Sequence, residues 1–332
     1  MRGTGIVIAV AEVTYLEAIR SAMADAMRDD ERVFLMGEDV GHFGGPFGVS
    51  KGLFEEFGGE RVIDTPIAEE GFVGAAFGAA WMGERPIAEL QFADFISCAF
   101  DSIVTVGAKT HWRSGIKLPV VIRSPFGGGV RGGPFHASCP EGFFVGTAGL
   151  KVVCPGSVED AYGLLRSAIE DDDPVLYFEH KALYRRLRAE APDESLRTPI
   201  GRARIARHGS DVTVATYGGM VDVALRAAAE LDDEASVEVL DLRTVWPLDA
   251  DAILGSLART SRLCVLQEAS SALGAAGEVL SLVARHGFEL LDAPPLLVAA
   301  PDSPVPFAPE LEDAYIPSPA RVAAELRRLG GY

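Results

Sequence analysis

The stretch Asp64-Thr65-Pro66-Ile67-Ala68-Glu69-Glu70-Gly71-Phe72 runs directly into Gly74-Ala75-Ala76-Phe77-Gly78-Ala79-Ala80. Pro66 presets its own φ and disfavours helix at Thr65, so a helix begins beyond it. Glu69 then falls in the first turn. Gly71, Gly74 and Gly78 recur roughly one turn apart, and each glycine inside a helix costs about 1 kcal/mol relative to Ala. Close approach of another backbone would offset that cost, so 71–83 is a candidate subunit contact. A carboxylate at the start of a tightly packed helix is held in place and partly desolvated, as an acid–base group needs. The same residue also reads as an ordinary acidic first turn that offsets the helix dipole.

Outward from this stretch, strands alternate with helices. Tyr15 to Arg28 carries Leu16, Ile19, Ala22, Met23 and Met27 on one helical face. Short apolar runs at Val33 to Met36, 86–92, 119–123, 152–154 and 175–178 read as buried strands. A helix is predicted over Ala93 to His111, and another over 158–169 after the cap-like Ser157. A second series has strands at 212–217, 237–242, 263–267 and 296–299, with helices near 220–231, 249–257, 274–286 and 320–329. The alternation predicts an α/β fold, a mainly parallel sheet with helices on both faces, followed by a second α/β domain. The polar stretch from Arg188 divides the chain into 1–187, a linker over 188–204, and 205–332. Residues 301–319 hold six prolines and are expected to wrap an exterior surface.

A net charge of −18 argues against nucleic acid as the main partner, since phosphates would be repelled. Cys98, Cys139, Cys154 and Cys264 lie far apart with no CxxC pair, which suits reduced thiols in a cytoplasmic protein. The apolar run Ile6 to Ala11 is too short for the core of a signal peptide, and no apolar stretch reaches membrane-spanning length.

Gly37-Glu38-Asp39-Val40-Gly41 places acids at the C-terminal end of a strand, where ligands of open α/β sheets gather. The glycine-rich loop 127–133 looks like a phosphate cradle but lacks the Gly-Lys-Ser/Thr ending of a P-loop. It reads instead as a mobile loop that lets backbone approach a ligand. His136 follows it and stands out among the six histidines; His42 reads as a loop residue. No His/Asp/Glu cluster has catalytic-metal spacing, and no Gly-x-Ser-x-Gly elbow appears. Asp171-Asp172-Asp173 before Pro174 reads either as a cation site or as a solvated turn.

Taken in order, these motifs resemble the beta subunit of the thiamine-diphosphate-dependent decarboxylating component of 2-oxo acid dehydrogenase complexes, of pyruvate, branched-chain 2-oxo acid and acetoin types. The resemblance runs from about Thr14 to Tyr332. It rests on Met36-Gly37-Glu38-Asp39-Val40-Gly41, Asp64 to Glu69, Glu89-Leu90-Gln91-Phe92-Ala93-Asp94-Phe95, Arg113-Ser114-Gly115, Gly149-Leu150-Lys151-Val152-Val153, Asp241-Leu242-Arg243-Thr244 and Trp246-Pro247. It implies a thiamine-diphosphate pyrimidine-binding domain followed by a transketolase C-terminal-like α/β domain. It also implies an alpha subunit that holds the diphosphate and magnesium through a Gly-Asp-Gly motif, in an alpha2-beta2 heterotetramer. This chain contains no Gly-Asp-Gly, so it would supply half of an active site.

Carried over by position, Glu69 would be the carboxylate that hydrogen-bonds the aminopyrimidine ring and favours its imino tautomer, which deprotonates the thiazolium carbon. Burial is expected to raise its pKa. Ile67, Ala68, Gln91 and Phe95 would line the pyrimidine site, with Glu38 supporting the same end. Phe92 would lie near the substrate. His136 resembles the histidine that contacts substrate and assists reductive acyl transfer to a lipoyl group. The usual His-Ser-Gln or His-Ser-Asp is replaced here by His136-Ala137-Ser138-Cys139. Asp171 and Asp173 match a turn that holds a structural potassium in some relatives.

The resemblance thus implies decarboxylation of a 2-oxo acid and acyl transfer to the lipoyl group of an acyltransferase component. The altered residues after His136 motivate an alternative, a ketol or acyl transferase subunit that loads a two-carbon unit onto a carrier-protein thiol. A third reading is a non-catalytic beta-like chain that stabilises another subunit; Glu69, Gln91 and His136 count against it.

Overall fold

The computed structural model describes residues 12–272 and 274–331. The run Ile6 to Ala11 lies outside them. Seven strands form the first sheet, in the order Thr244–Trp246, Lys151–Val153, Val175–His180, Val121–Phe126, Arg85–Glu89, Val33–Gly37 and Val62–Asp64. All neighbours pair in parallel except Thr244–Trp246, which is antiparallel. Val121–Phe126 and Val175–His180 are buried at every position. That is why they show no alternation: apolar positions stand on both faces, and the polar members Arg123 and Glu179 are buried as well.

Helices cover both faces of this sheet. Tyr15–Asp29 and Val158–Glu170 bury Leu16, Ile19, Met23, Leu164 and Leu165 on one side. Glu69–Trp81 buries Phe72, Val73 and Phe77 on the other. Thr14 and Glu17 close a reciprocal capping box at the first helix. Burial of each large apolar side chain contributes about 1.5–3 kcal/mol.

The second sheet has the order Leu296–Ala300, Leu263–Ser270, Val212–Thr216, Val237–Asp241 and Arg204–Arg207, with only the last strand antiparallel. The two halves interlock. Thr244–Trp246 follows a strand of the second sheet yet pairs with Lys151–Val153 in the first. Buried Asp160 of the first half meets Arg243 of the second at 2.8 Å and Arg204 at 3.3 Å.

Three differences from the sequence reading have physical causes. The helix expected over 93–111 is a 3-10 turn at Ala93–Ala99, a π turn at Ser102–Gly107 and an α-helix at Ala108–Ser114. A Cβ on Gly107 would come within 2.5 Å of the Phe77 ring, so the changes of helical period occur where the rod presses on Glu69–Trp81. Strands Glu12–Thr14, Val62–Asp64, Arg188–Glu190, Arg204–Arg207 and Thr244–Trp246 went unread because three or four residues carry no periodicity. Arg188–Glu190, inside the expected linker, pairs antiparallel with Glu12–Thr14.

The helix after Pro66 begins at Glu69. An added Cβ at Gly74 or Gly78 would meet nothing within 4 Å. No other part of the described chain closes on these two glycines. No helix among the described residues is long and apolar enough to cross a membrane.

Candidate functional site

The site begins where two acid-bearing turns are tied together. The strand Val33–Gly37 ends in Glu38 and Asp39, and its neighbour Val62–Asp64 leads into Thr65 to Glu69. Thr65 N donates to Gly37 O at 2.9 Å. Gly41 N donates to Asp64 Oδ1 at 2.7 Å. Both turns thus leave the carboxyl ends of adjacent parallel strands on a common rim, the usual ligand position in an open α/β sheet. Asp39 has φ 57°, a left-handed conformation that Asp tolerates better than most residues.

Burial is distributed differently from the expectation. Glu69 is only half-buried in this chain, at the N-terminus of its helix. The enclosed carboxyl is Glu38, 4 % exposed, with a buried Oε1 that has no hydrogen-bond partner. Burial first, then the charges of Glu69 and Asp39, pushes Glu38 up to about 7. An unpartnered buried acceptor is costly. A ligand group that donates a hydrogen bond there would relieve that cost.

The sign of the pH effect follows. Unfolded, Glu38 titrates near 4.5; folded, near 7. Its cost to the fold is absent below the lower value, grows between the two, and is complete above the higher. Glu38→Gln in the isolated chain should therefore raise Tm relative to wild type at pH 8, with a smaller difference at pH 5, which lies between the two pKa values. Parallel melting curves at the two values check this; equal shifts would contradict it.

Gln91 turns its Nε2 to Asp39 Oδ2 at 3.1 Å, joining the same rim. Ile67, 82 % exposed, and the exposed Ala68 stand at its edge as uncovered apolar contacts. Phe92 and Phe95 face His136 edge-on, with ring centroids 4.5 and 5.7 Å from the imidazole. The structure therefore brings His136, some forty residues away in the chain, onto the aromatic pair beside Gln91. His42 stacks against Phe54 instead, with centroids 3.8 Å apart.

The departure after His136 also acquires a location. Ala137 is buried in a cluster with Ala300, Val305 and Tyr315. Ser138 N donates to Asp94 Oδ1 at 3.2 Å. Ala137 thus packs against the second half of the chain.

Residues missed by sequence reasoning include Lys181, Glu268 and Glu312. The Lys181 ammonium lies 5.8 Å from the Phe92 ring centroid, and burial pulls its pKa down to about 8. Glu268 and Glu312 reach the glycine-rich loop from the second half. Only the Lys181 strand end was a local signal; the two glutamates had none.

Asp171 and Asp173 share one ammonium. Lys151 Nζ lies 2.6 Å from Asp171 Oδ1 and 3.0 Å from Asp173 Oδ2. His111 Nδ1 is 2.5 Å from Asp173 Oδ1. These ion pairs engage Oδ1 of Asp171 and both oxygens of Asp173. Among the described residues, no group of three or more His, Cys, Asp or Glu is arranged to hold a metal ion.

Two family models match this chain. The transketolase pyrimidine-binding domain family matches residues 11–186, and the transketolase C-terminal domain family matches residues 201–322. A solved structure described as a split-gene transketolase, inactive beta4 tetramer, superposes with a TM-score of 0.80 at 21 % identity, covering 96 % of this chain and 98 % of that one. It shares the fold. The architecture is thus that of the transketolase-type two-domain proteins.

The 2-oxoisovalerate dehydrogenase subunit beta of Bacillus subtilis (strain 168) is 44 % identical, over 96 % of this chain and 99 % of that protein. The acetoin:2,6-dichlorophenolindophenol oxidoreductase subunit beta of the same organism is 44 % identical over 96 % and 97 %. Its pyruvate dehydrogenase E1 component subunit beta is 43 % identical over 96 % and 99 %. The chain belongs to the family of beta subunits of the pyruvate, branched-chain 2-oxo acid and acetoin dehydrogenase E1 components.

Proposed function

We propose that this chain supplies the pyrimidine half of a thiamine-diphosphate site and, with an alpha subunit, decarboxylates a 2-oxo acid and passes the acyl group to a lipoyl group of an acyltransferase. The observation that carries the proposal is the rim on which Glu38, Glu69 and Gln91 meet Phe95 and His136. The residues fit the group: an acceptor without a donor, a half-exposed carboxylate at a helix start, and aromatic and apolar contacts beside them. When bound, thiamine diphosphate supplies a carbon nucleophile and an electron sink at its thiazolium ring.

Glu69 holds a proton at the aminopyrimidine edge, with Glu38 tuning the local charge. Ile67, Ala68 and Phe95 exclude water from the ring, and Gln91 fixes its orientation through Asp39. Phe92 and His136 border the substrate. The diphosphate and magnesium fall to the alpha subunit in an alpha2-beta2 assembly, which works in the cytoplasm, consistent with four free thiols. The domains divide at 1–187, 188–204 and 205–332.

The test is co-purification with an alpha partner and assay of a 2-oxo acid panel with thiamine diphosphate and magnesium. Turnover that requires both chains supports the reading. Absence of turnover on every 2-oxo acid contradicts it and favours ketol transfer to a carrier-protein thiol. The buried packing of Ala137 weakens the motive for that second reading, because this substitution adjusts a domain contact.

The glycine face of Glu69–Trp81 is the proposed subunit contact. Gly74→Leu should leave Tm of the isolated chain unchanged or raise it, since Leu gains about 1 kcal/mol of helix propensity over Gly. The same change should shift the assembled complex to a smaller species on a sizing column. An unchanged elution profile would refute the contact.

A further inference from the structure

The loop 127–133, which looked like a phosphate cradle, already holds two carboxylates of its own chain. Gly128 N donates to Glu268 Oε1 at 2.5 Å. Gly129 N donates to Glu312 Oε1 at 3.1 Å, and Arg131 N to Glu312 Oε2 at 3.3 Å. Arg131 Nη1 reaches Glu312 Oε2 at 2.8 Å. The second oxygen of Glu268 is 2.7 Å from His180 Nε2. Glu312 is fully buried.

The loop conformation is built for this. Gly127, Gly129, Arg131 and Gly133 all have positive φ. Alternation of such residues turns successive N–H groups to one side, which makes an anion-binding concavity. Arg131 adopts φ 61° although it carries a side chain, and its guanidinium closes on the carboxylate that its own amide binds.

Both carboxylates come from the second half of the chain. Glu312 lies in the short helix Pro309–Tyr315, within the proline-rich segment. That segment crosses the loop: a Cβ on Gly133 would fall within 2.3 Å of the Phe307 ring, and Val305 and Tyr315 pack on Ala137. The expected exterior wrap is therefore a strap over the two sides of His136.

Apolar packing alone does not hold the loop. An open pocket of about 220 Å³ lies beyond His136, bordered by Ser138, Cys139, Glu268, Ser303 and Tyr315. Charge-assisted hydrogen bonds at Gly128, Gly129 and Arg131 tie the loop to the second half of the chain.

We infer that Glu312, with Glu268 beside it, is a positioning residue that latches the 127–133 loop to the second domain and so sets His136 against Phe92 and Phe95. This rests on the reading of His136 as a group bordering the substrate. The latch accounts for the glycines of a loop that lacks the P-loop ending. A buried carboxylate fills the anion seat.

The test uses the assembled complex and the variants Glu312→Gln and Arg131→Met. Hydrogen exchange of the 127–137 segment is read by mass spectrometry, together with the rate of His136 carbethoxylation by diethylpyrocarbonate. Loss of a charged partner should speed exchange in that segment by about tenfold or more in Glu312→Gln, with a smaller effect in Arg131→Met. His136 modification should accelerate in the same order. Acyl-transfer kcat should fall at least about tenfold in Glu312→Gln, with KM for the 2-oxo acid changed less than about twofold. Unchanged exchange and modification in both variants would overturn the inference, as would faster exchange spread evenly over the second domain. The exchange and modification arms decide the latch even where wild type turns over no 2-oxo acid, so its failure is separable from failure of the proposed activity.

Discussion

Glu69→Gln is expected to lower 2-oxo acid decarboxylation by at least about a hundredfold, the lower end of what a positioned acid–base group contributes. The amide keeps the size and one hydrogen-bonding oxygen but cannot exchange a proton. Folding should be unaffected, because Glu69 is half-buried, at the first position of its helix, and makes none of the ties that hold its turn. Those ties run from Thr65 and Gly41 to Gly37 and Asp64. The measurement is turnover of wild type and variant complexes side by side, with thiamine diphosphate saturating. Retention of more than a tenth of the wild-type rate would remove Glu69 from the acid–base role.

Arg123→Met should destabilise the fold by about 3–5 kcal/mol, the usual cost of removing one partner from a buried ion pair. Arg123 is 0 % exposed. Its Nη1 lies 2.5 Å from Glu89 Oε2, its Nε lies 3.1 Å from Glu179 Oε2, and its Nη2 also bonds Glu179. Tyr184 adds a hydroxyl donor to Glu179 at 2.6 Å. Three adjacent strands, Arg85–Glu89, Val121–Phe126 and Val175–His180, are thereby tied near the ends that carry the site.

Without Arg123, two carboxylates remain buried without a counter-charge. Burial already raises the pKa of Glu89, with Arg123 opposing, so the variant shifts it further up. The deficit is therefore largest at neutral and alkaline pH and shrinks as pH falls and the carboxyls take up protons. A loss of this size is a large part of the roughly 5–15 kcal/mol that stabilises a typical domain. Urea unfolding at pH 5.5 and 8 checks both magnitude and sign. A variant within about 1 kcal/mol of wild type at pH 8 would contradict the argument.

The long elements were legible because burial on both faces demands continuous apolar strands, and burial on one face demands helical periodicity. Val175–His180 and Tyr15–Asp29 are clear cases. The short edge strands were not, since their pairing is decided by distant partners: Thr244–Trp246 finds Lys151–Val153 across the domain boundary. Helical type at 93–114 was likewise hidden, because the π turn answers to contact between Gly107 and Phe77.

For the candidate site the same distinction holds at the level of single residues. Pro66 and the polar turn before the small-residue helix determine locally that Glu69 opens a helix. The end of an apolar strand determines locally that Glu38 and Asp39 sit at a rim. Which of the two glutamates is enclosed depends on neighbours, and the fold encloses Glu38 while leaving Glu69 half-open in this chain. The meeting of His136 with Phe92, and the filling of the glycine loop by Glu268 and Glu312, were decided by tertiary structure alone. Local sequence carries propensity and pattern, whereas charge pairing and enclosure are properties of surfaces that come together only when the two halves pack.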